Sequence, residues 1–115
     1  MSAIETKRIE VDGFTVRIDV EPDSDSTPFD AECYSAEDID AWRHDEWFYV
    51  GYVYTATRAG VELGSASIWG SEWDFPGTES SIDAWIAENY YHPDLMTEAL
   101  AEARNTLATL QTATK

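Results

Sequence analysis

Between Trp47 and Gly70 the chain reads WFYVGYVYTATRAGVELGSASIWG, and this stretch limits the fold more than any other. From Phe48 to Thr57 the residues are apolar, aromatic or threonine, with Gly51 the exception, which is the composition of a strand rather than a helix. A turn falls at Thr57-Arg58-Ala59-Gly60. Glycine in fourth place suits a type I turn closed by a left-handed residue, the three-residue hairpin with a bulge. A two-residue turn at Ala59-Gly60 would slip the register and hold Ala59 at a positive φ, which alanine dislikes. The bulged turn is therefore the expectation. It pairs Thr57 with Val61, Ala56 with Glu62, Tyr54 with Gly64, Tyr52 with Ala66 and Val50 with Ile68, so that large faces small across the ladder. One face then carries Phe48, Val50, Tyr52, Tyr54, Ala66 and Ile68 and reads as core. The other carries Tyr49, Val53, Thr55, Ser65, Ser67 and Trp69, either a weaker core or an exposed contact surface.

A second hairpin precedes it. In KRIEV-DG-FTVRIDV the Asp12-Gly13 pair is a strong short-range turn signal. It sets Val11 opposite Phe14, Ile9 opposite Val16 and Lys7 opposite Ile18 on one largely apolar face. On the reverse face Arg8 meets Arg17 head-on, offset by Glu10 and Asp19 within diagonal reach. Residues 21–34, with two prolines and no periodicity, read as an acidic loop. Ser35 then opens a short helix, with Asp38 completing a capping box and Tyr34 placed to staple onto Ile39. After the central hairpin a Pro76-Gly77 loop leads to a helix from Ser80 or Ser81 with Ile82, Trp85, Ile86 and Asn89 on one stripe. Pro93 suits the start of a third helix, in which Leu95, Met96, Ala99, Leu100, Ala103, Leu107 and Leu110 recur at spacings of three and four. Residues 111–115 should fray. The order β-β-α-β-β-α-α predicts a single α+β domain over residues 1–115, a four-stranded antiparallel sheet made of two hairpins with helices packed on one face.

A chain of 115 residues can bury a modest core without staples, and five tryptophans argue against disorder. No apolar run approaches the roughly 20 residues of a membrane span. The start, MSAIETKRIEV, has no apolar segment of a signal peptide, and Cys33 is the single cysteine. Both point to a cytoplasmic protein without an internal disulfide.

Catalytic and metal motifs are not legible. Asp23, Asp25 and Thr27 match the first, third and fifth positions of a calcium loop, but Pro28 stands where glycine is needed and Tyr34 where the bidentate glutamate belongs. Cys33, His44 and His92 offer no paired zinc spacing. There is no nucleophile motif and no glycine-rich phosphate loop, so the expectation is a protein that is not an enzyme and carries no cofactor.

Charge is more informative. The formal net charge is −16, and from Glu21 to Glu46 ten acids face one base, Arg43. Such a surface repels nucleic acid and anionic membranes, which need a basic footprint. It suits a basic groove on another protein, where carboxylates on a rigid scaffold stand in for phosphates. The residues expected to meet that partner are Asp23, Asp25, Asp30, Glu32, Glu37, Asp38, Asp40, Asp45 and Glu46, with Trp42, Trp47 and Trp73 as apolar anchors. This reading requires the acids to form one continuous rigid band. Two other readings compete: a homodimer built through the Ser/Tyr/Trp face of the central hairpin, and a salt-adapted domain whose acidity serves solubility alone.

The segment DEWFYVGYVYTATRAGVELGSASIWGSEWD, with SAEDIDAW upstream, resembles a set of small acidic proteins encoded by bacteriophages and prophages. They share an acidic-Trp-(Tyr/Phe)-Tyr-Val-Gly start, an LGSAS(I/L)WG strand and an Ala/Glu-rich C-terminal helix. The resemblance covers residues 35–110, and its motifs are structural, so it assigns no functional residue. It implies a phage context, in which small acidic proteins interfere with host enzymes such as restriction or CRISPR nucleases.

Overall fold

The computed structural model describes residues 3–30, 33–88 and 91–113, the side chains of Asp30 and Ala113 excepted. Strands β1 (Glu5–Val11), β2 (Phe14–Pro22), β3 (Phe48–Arg58) and β4 (Val61–Trp73) form one antiparallel sheet in the order β1-β2-β3-β4. Helices α1 (Ala36–Arg43), α2 (Ile82–Glu88) and α3 (Tyr91–Ala113) complete the α+β order expected from the sequence. The two hairpins abut through β2 and β3, where Ile18 faces Tyr54 and Val20 faces Tyr52.

The first hairpin forms in the expected register, with Asp12 and Gly13 both at positive φ (53° and 81°). Arg8 does face Arg17, and the repulsion is relieved because the Arg17 guanidinium turns to Asp19 (2.8 Å) and Glu62 (3.4 Å).

The central hairpin corrects the expected turn. Ala59 (φ 54°) and Gly60 (φ 79°) make the two-residue turn, so Arg58 faces Val61 and Thr57 faces Glu62. A bulge follows, after which Ala56 meets Gly64, Tyr54 meets Ala66 and Tyr52 meets Ile68. Past a second bulge, where Val50 meets Ser71, the true register differs from the bulged-turn register by three residues; from the first bulge to Tyr52 it differs by two. Because side chains alternate with period two, the same residues still share a face. A left-handed alanine costs roughly 1–2 kcal/mol. What offsets it is the twist match of a primed turn and the packing of β4 on α3. An ideal Cβ on Gly64 would lie 2.4 Å from the Ala99 oxygen and the Ala103 nitrogen, so only glycine allows the α3 backbone this close.

The core lies between one sheet face and helices α2 and α3. Phe14, Val16, Ile18 and Val20 of β2 and Val50, Tyr52, Tyr54 and Ala56 of β3 meet Ile82, Trp85, Leu95, Ala99, Leu100 and Ala103. Leu95 and Leu100 alone contribute about 1.5–3 kcal/mol each by leaving water. Helix α3 starts at Tyr91, two residues before Pro93, and runs to Ala113, so residues 111–113 of the expected frayed tail are helical. Beyond Ala103 no described residue of α3 is buried, and Leu110 is half exposed. The last turns project past the sheet, and the molecule is elongated, 61 × 26 × 23 Å. Among the described residues no helix is long and apolar enough to cross a membrane.

Candidate functional site

The acidic connection between β2 and β3 is tied to the sheet rather than tethered loosely. The Asp23 amide donates to the Tyr49 carbonyl (2.9 Å), and its carboxylate accepts from the Gly70 amide (2.9 Å), the Ser26 hydroxyl (2.8 Å) and the Asp25 amide (3.1 Å). Asp23 therefore serves as an internal clasp between the loop and β4. A short 3₁₀ turn, Pro28–Asp30, follows, with Pro28 buried and Phe29 53 % exposed.

Helix α1 has the expected cap. Ser35 Oγ accepts from the Asp38 amide (3.1 Å) and the Asp38 carboxylate accepts from the Ser35 amide (3.2 Å). Asp38 is thus also engaged internally. Tyr34, expected to staple onto Ile39, packs against Trp47 and Phe75, and its hydroxyl donates to Glu72. Burial, helped by the hydrogen bond to Glu72, pushes the Tyr34 hydroxyl pKa well up.

Of the residues expected to meet a partner, Asp25, Glu37, Asp40, Asp45 and Glu46 are exposed. Glu32 and the side chain of Asp30 lie outside the described residues. Trp42 is half-buried, edge-on to Phe29, whose ring carries the Arg43 guanidinium at 5.3 Å. The other two tryptophans correct the expectation. Trp47 is fully buried, its Nε1 donating to the Asp38 carbonyl (2.8 Å), so it fastens α1 to the sheet. Trp73 is 5 % exposed and belongs to the main core. Neither can anchor a partner, because a ring already out of water gains no further burial on binding.

The acids do not form a band confined to residues 21–46. From Ala59 to Ala103 there are nine acids, Glu62 to Glu102, and no lysine or arginine, and every one of the nine is exposed. These residues lie on β4, the following loop, α2 and α3. The absence of bases over that length is a property of the sequence, less dense in acids than the run at 21–46. Among the described residues few acids are offset by lysine or arginine: Asp83 by Lys7, Asp19 and Glu62 by Arg17, and Asp12 by Arg104. Among the described residues no group of three His, Cys, Asp or Glu side chains is placed to hold a metal ion.

Two further features escaped the sequence. The first is a polar chain inside the core: Trp85 Nε1 donates to the Tyr54 hydroxyl (2.9 Å), which lies 2.6 Å from His92 Nδ1. The Tyr54 hydroxyl thus accepts from Trp85 and shares a second hydrogen bond with His92 Nδ1, whose direction follows the imidazole tautomer. Burial lowers the His92 pKa and raises that of Tyr54; beside them Tyr52, stacked on Trp85 at 3.8 Å, is pushed up to about 12, chiefly by burial. The second is Trp69, 49 % exposed on the helix-free sheet face. A bulge sets Trp69 and Gly70 opposite the single residue Gly51, and the Trp69 ring occupies the space a Gly51 Cβ would need (2.1 Å to the ring). Its Nε1 donates to Ser67 Oγ (3.2 Å).

No family model, curated protein or solved structure matches the chain.

Proposed function

We infer that this is a non-enzymatic acidic binding protein, of phage type, that inhibits a host defence or DNA-binding protein by occupying its basic, nucleic-acid-binding surface. The observation that carries the reading is the nine exposed acids from Glu62 to Glu102, on β4, the loop after it, α2 and the first turns of α3, in a stretch without lysine or arginine, together with the exposed acids of α1 and its flanks. Sixteen net negative charges along a 61 Å axis amount to about one per 4 Å. That density is near a single nucleic-acid strand (about 3.4 Å per charge) and well below a duplex (about 1.7 Å). The surface therefore suits a groove that takes a single strand better than one that takes B-form DNA. Exposed carboxylates act through long-range attraction, which speeds encounter and fades as salt rises.

Displacement of a fluorescent oligonucleotide from basic single-strand-binding proteins, read by anisotropy, tests this. The expected result is displacement near 50 mM salt that is largely lost near 300 mM. No displacement at low salt from any such protein refutes it.

A second reading has its own observation. Trp69, Ser65 and Ser67 are exposed on the face of β4 that the helices leave open, which suits self-association. Sedimentation separates the two, because a dimer made through that face persists at high salt and the electrostatic complex does not.

A further inference from the structure

Trp69 differs from two other aromatic rings of the chain in what covers it. The Phe14 ring carries the Arg58 guanidinium at 4.0 Å, and Phe29 carries Arg43 at 5.3 Å. In both places the chain sets one of its few arginines over an aromatic face. Among the described residues no cation lies over Trp69, although its ring is half exposed and fixed in place. Gly51 provides a flat backbone beneath it, and Ser67 holds its Nε1.

The surroundings of Trp69 favour a cation. A hollow of 510 Å³ adjoins it, lined by Pro22, Asp23, Ser24, Asp25 and Ser26. The Asp23 carboxylate already accepts three hydrogen bonds, whereas that of Asp25 is exposed. Glu21 faces Gly51 across the β2–β3 ladder and so stands beside the ring that fills the glycine's vacant Cβ position. An aromatic plane next to carboxylates recognises guanidinium in particular. Guanidinium is planar, weakly hydrated and able to stack while its edge donates to carboxylate, and a compact, strongly hydrated ammonium does this less well.

We propose that Trp69, with Asp25 and Glu21, is an arginine-receiving site, and that the basic partner docks here by laying an arginine side chain on the Trp69 ring. The proposal rests on the reading that the partner is basic, and adds to it a point of attachment and a preference between the two basic side chains. The acid coat supplies attraction that any cation feels; Trp69 supplies a contact that arginine makes better than lysine.

The test uses two unstructured ten-residue peptides, one of arginine and one of lysine, titrated by calorimetry against the full chain. Wild type should bind the arginine peptide about fivefold more tightly than the lysine peptide. Trp69→Leu keeps an apolar cover on Gly51 but removes the π face. It should erase that preference while leaving the salt dependence of both peptides unchanged. Asp25→Asn with Glu21→Gln should weaken both peptides and flatten the salt dependence. Equal binding of the two peptides to wild type, or an unaltered preference in Trp69→Leu, overturns the proposal and leaves the electrostatic reading standing. Failure of both peptides to bind at low salt overturns both. Circular dichroism of each variant confirms that the fold is retained, and Trp69→Phe, which keeps a smaller π face, should retain part of the preference.

Discussion

Gly64→Ala is the substitution that most directly tests how α3 is seated. The added Cβ would lie 2.4 Å from the Ala99 oxygen and the Ala103 nitrogen and 3.0 Å from the Ala103 Cα. Ordinary contact begins about 1 Å further out, so the helix must retreat by that amount or β4 must bend. A gap of that width forfeits a quarter to a half of the dispersion energy along the seam where Ala99 and Ala103 are buried. Overpacking costs about 1–3 kcal/mol, and backbone atoms on the far side place this case at the upper end, near 3 kcal/mol. With a urea slope of about 1.5 kcal/mol per molar, the denaturation midpoint should fall by about 2 M. Gly77→Ala is the control: its φ, unlike that of Gly64, is positive (87°), and nothing lies within 4 Å of the new Cβ, so only the left-handed penalty of about 1 kcal/mol applies. Adding Ala103→Gly to Gly64→Ala should give no rescue, because the clash is with main-chain atoms. A midpoint for Gly64→Ala within 0.5 M of wild type, or equal to that of Gly77→Ala, would refute the argument.

Three other substitutions follow from the same structure. Ala59→Asn relieves the left-handed alanine in the β3–β4 turn and should raise stability by about 1 kcal/mol, a melting-point gain of about 4 °C by calorimetry. Asp23→Asn leaves one carbonyl oxygen for the donors that the carboxylate now accepts, costs about 1–2 kcal/mol, and should speed hydrogen exchange at the Gly70 amide. His92 is held neutral: its folded pKa lies below the ordinary value of about 6.5, so its contribution is complete above that pH and declines as pH falls through and below it. Stability measured by urea at pH 7.5 and pH 5 should therefore drop more for wild type than for His92→Gln; equal drops would show that His92 is not held neutral by the fold.

Legibility followed the range of the physics. The Asp12-Gly13 turn, the Ser35–Asp38 capping box and the Leu95–Ala103 stripe are local, and each formed where the residues alone placed it. The β3–β4 turn departs from the expected one because the penalty at Ala59 is local, while what outweighs it, the seat of α3 on Gly64, joins residues far apart in the chain. The acids beside Trp47 and Trp73 suggest a surface position for both, but neighbours in sequence do not decide burial: Trp47 is turned inward, with its indole bonded to the Asp38 carbonyl, and Trp73 lies opposite Phe48 in the core. Trp69 was placed on the correct face, yet its role depends on the bulge at Gly70, which alternation along a strand cannot reveal. The acid coat could have been read in full, since the lack of bases from 59 to 103 is a property of the sequence alone.

That coat acts on stability and on binding with opposite signs, and salt separates the two. A net charge of −16 on a rod 61 Å long repels itself, which costs the folded state more than the expanded chain. At 0.1 M salt the screening length is about 10 Å, shorter than the molecule, and at 1 M it is about 3 Å. Adding salt should therefore raise the melting temperature of the isolated protein. The same screening weakens any complex held by the carboxylates, so the extra stability that an arginine peptide confers should shrink as salt rises. Melting temperatures with and without the peptide, from 0.05 to 1 M salt, should converge as salt rises. If the free protein melts at the same temperature throughout, the acids are spaced too widely to feel one another and the linear charge density cannot drive binding. If the peptide's effect persists at 1 M, the contact at Trp69 outweighs the charge of the coat.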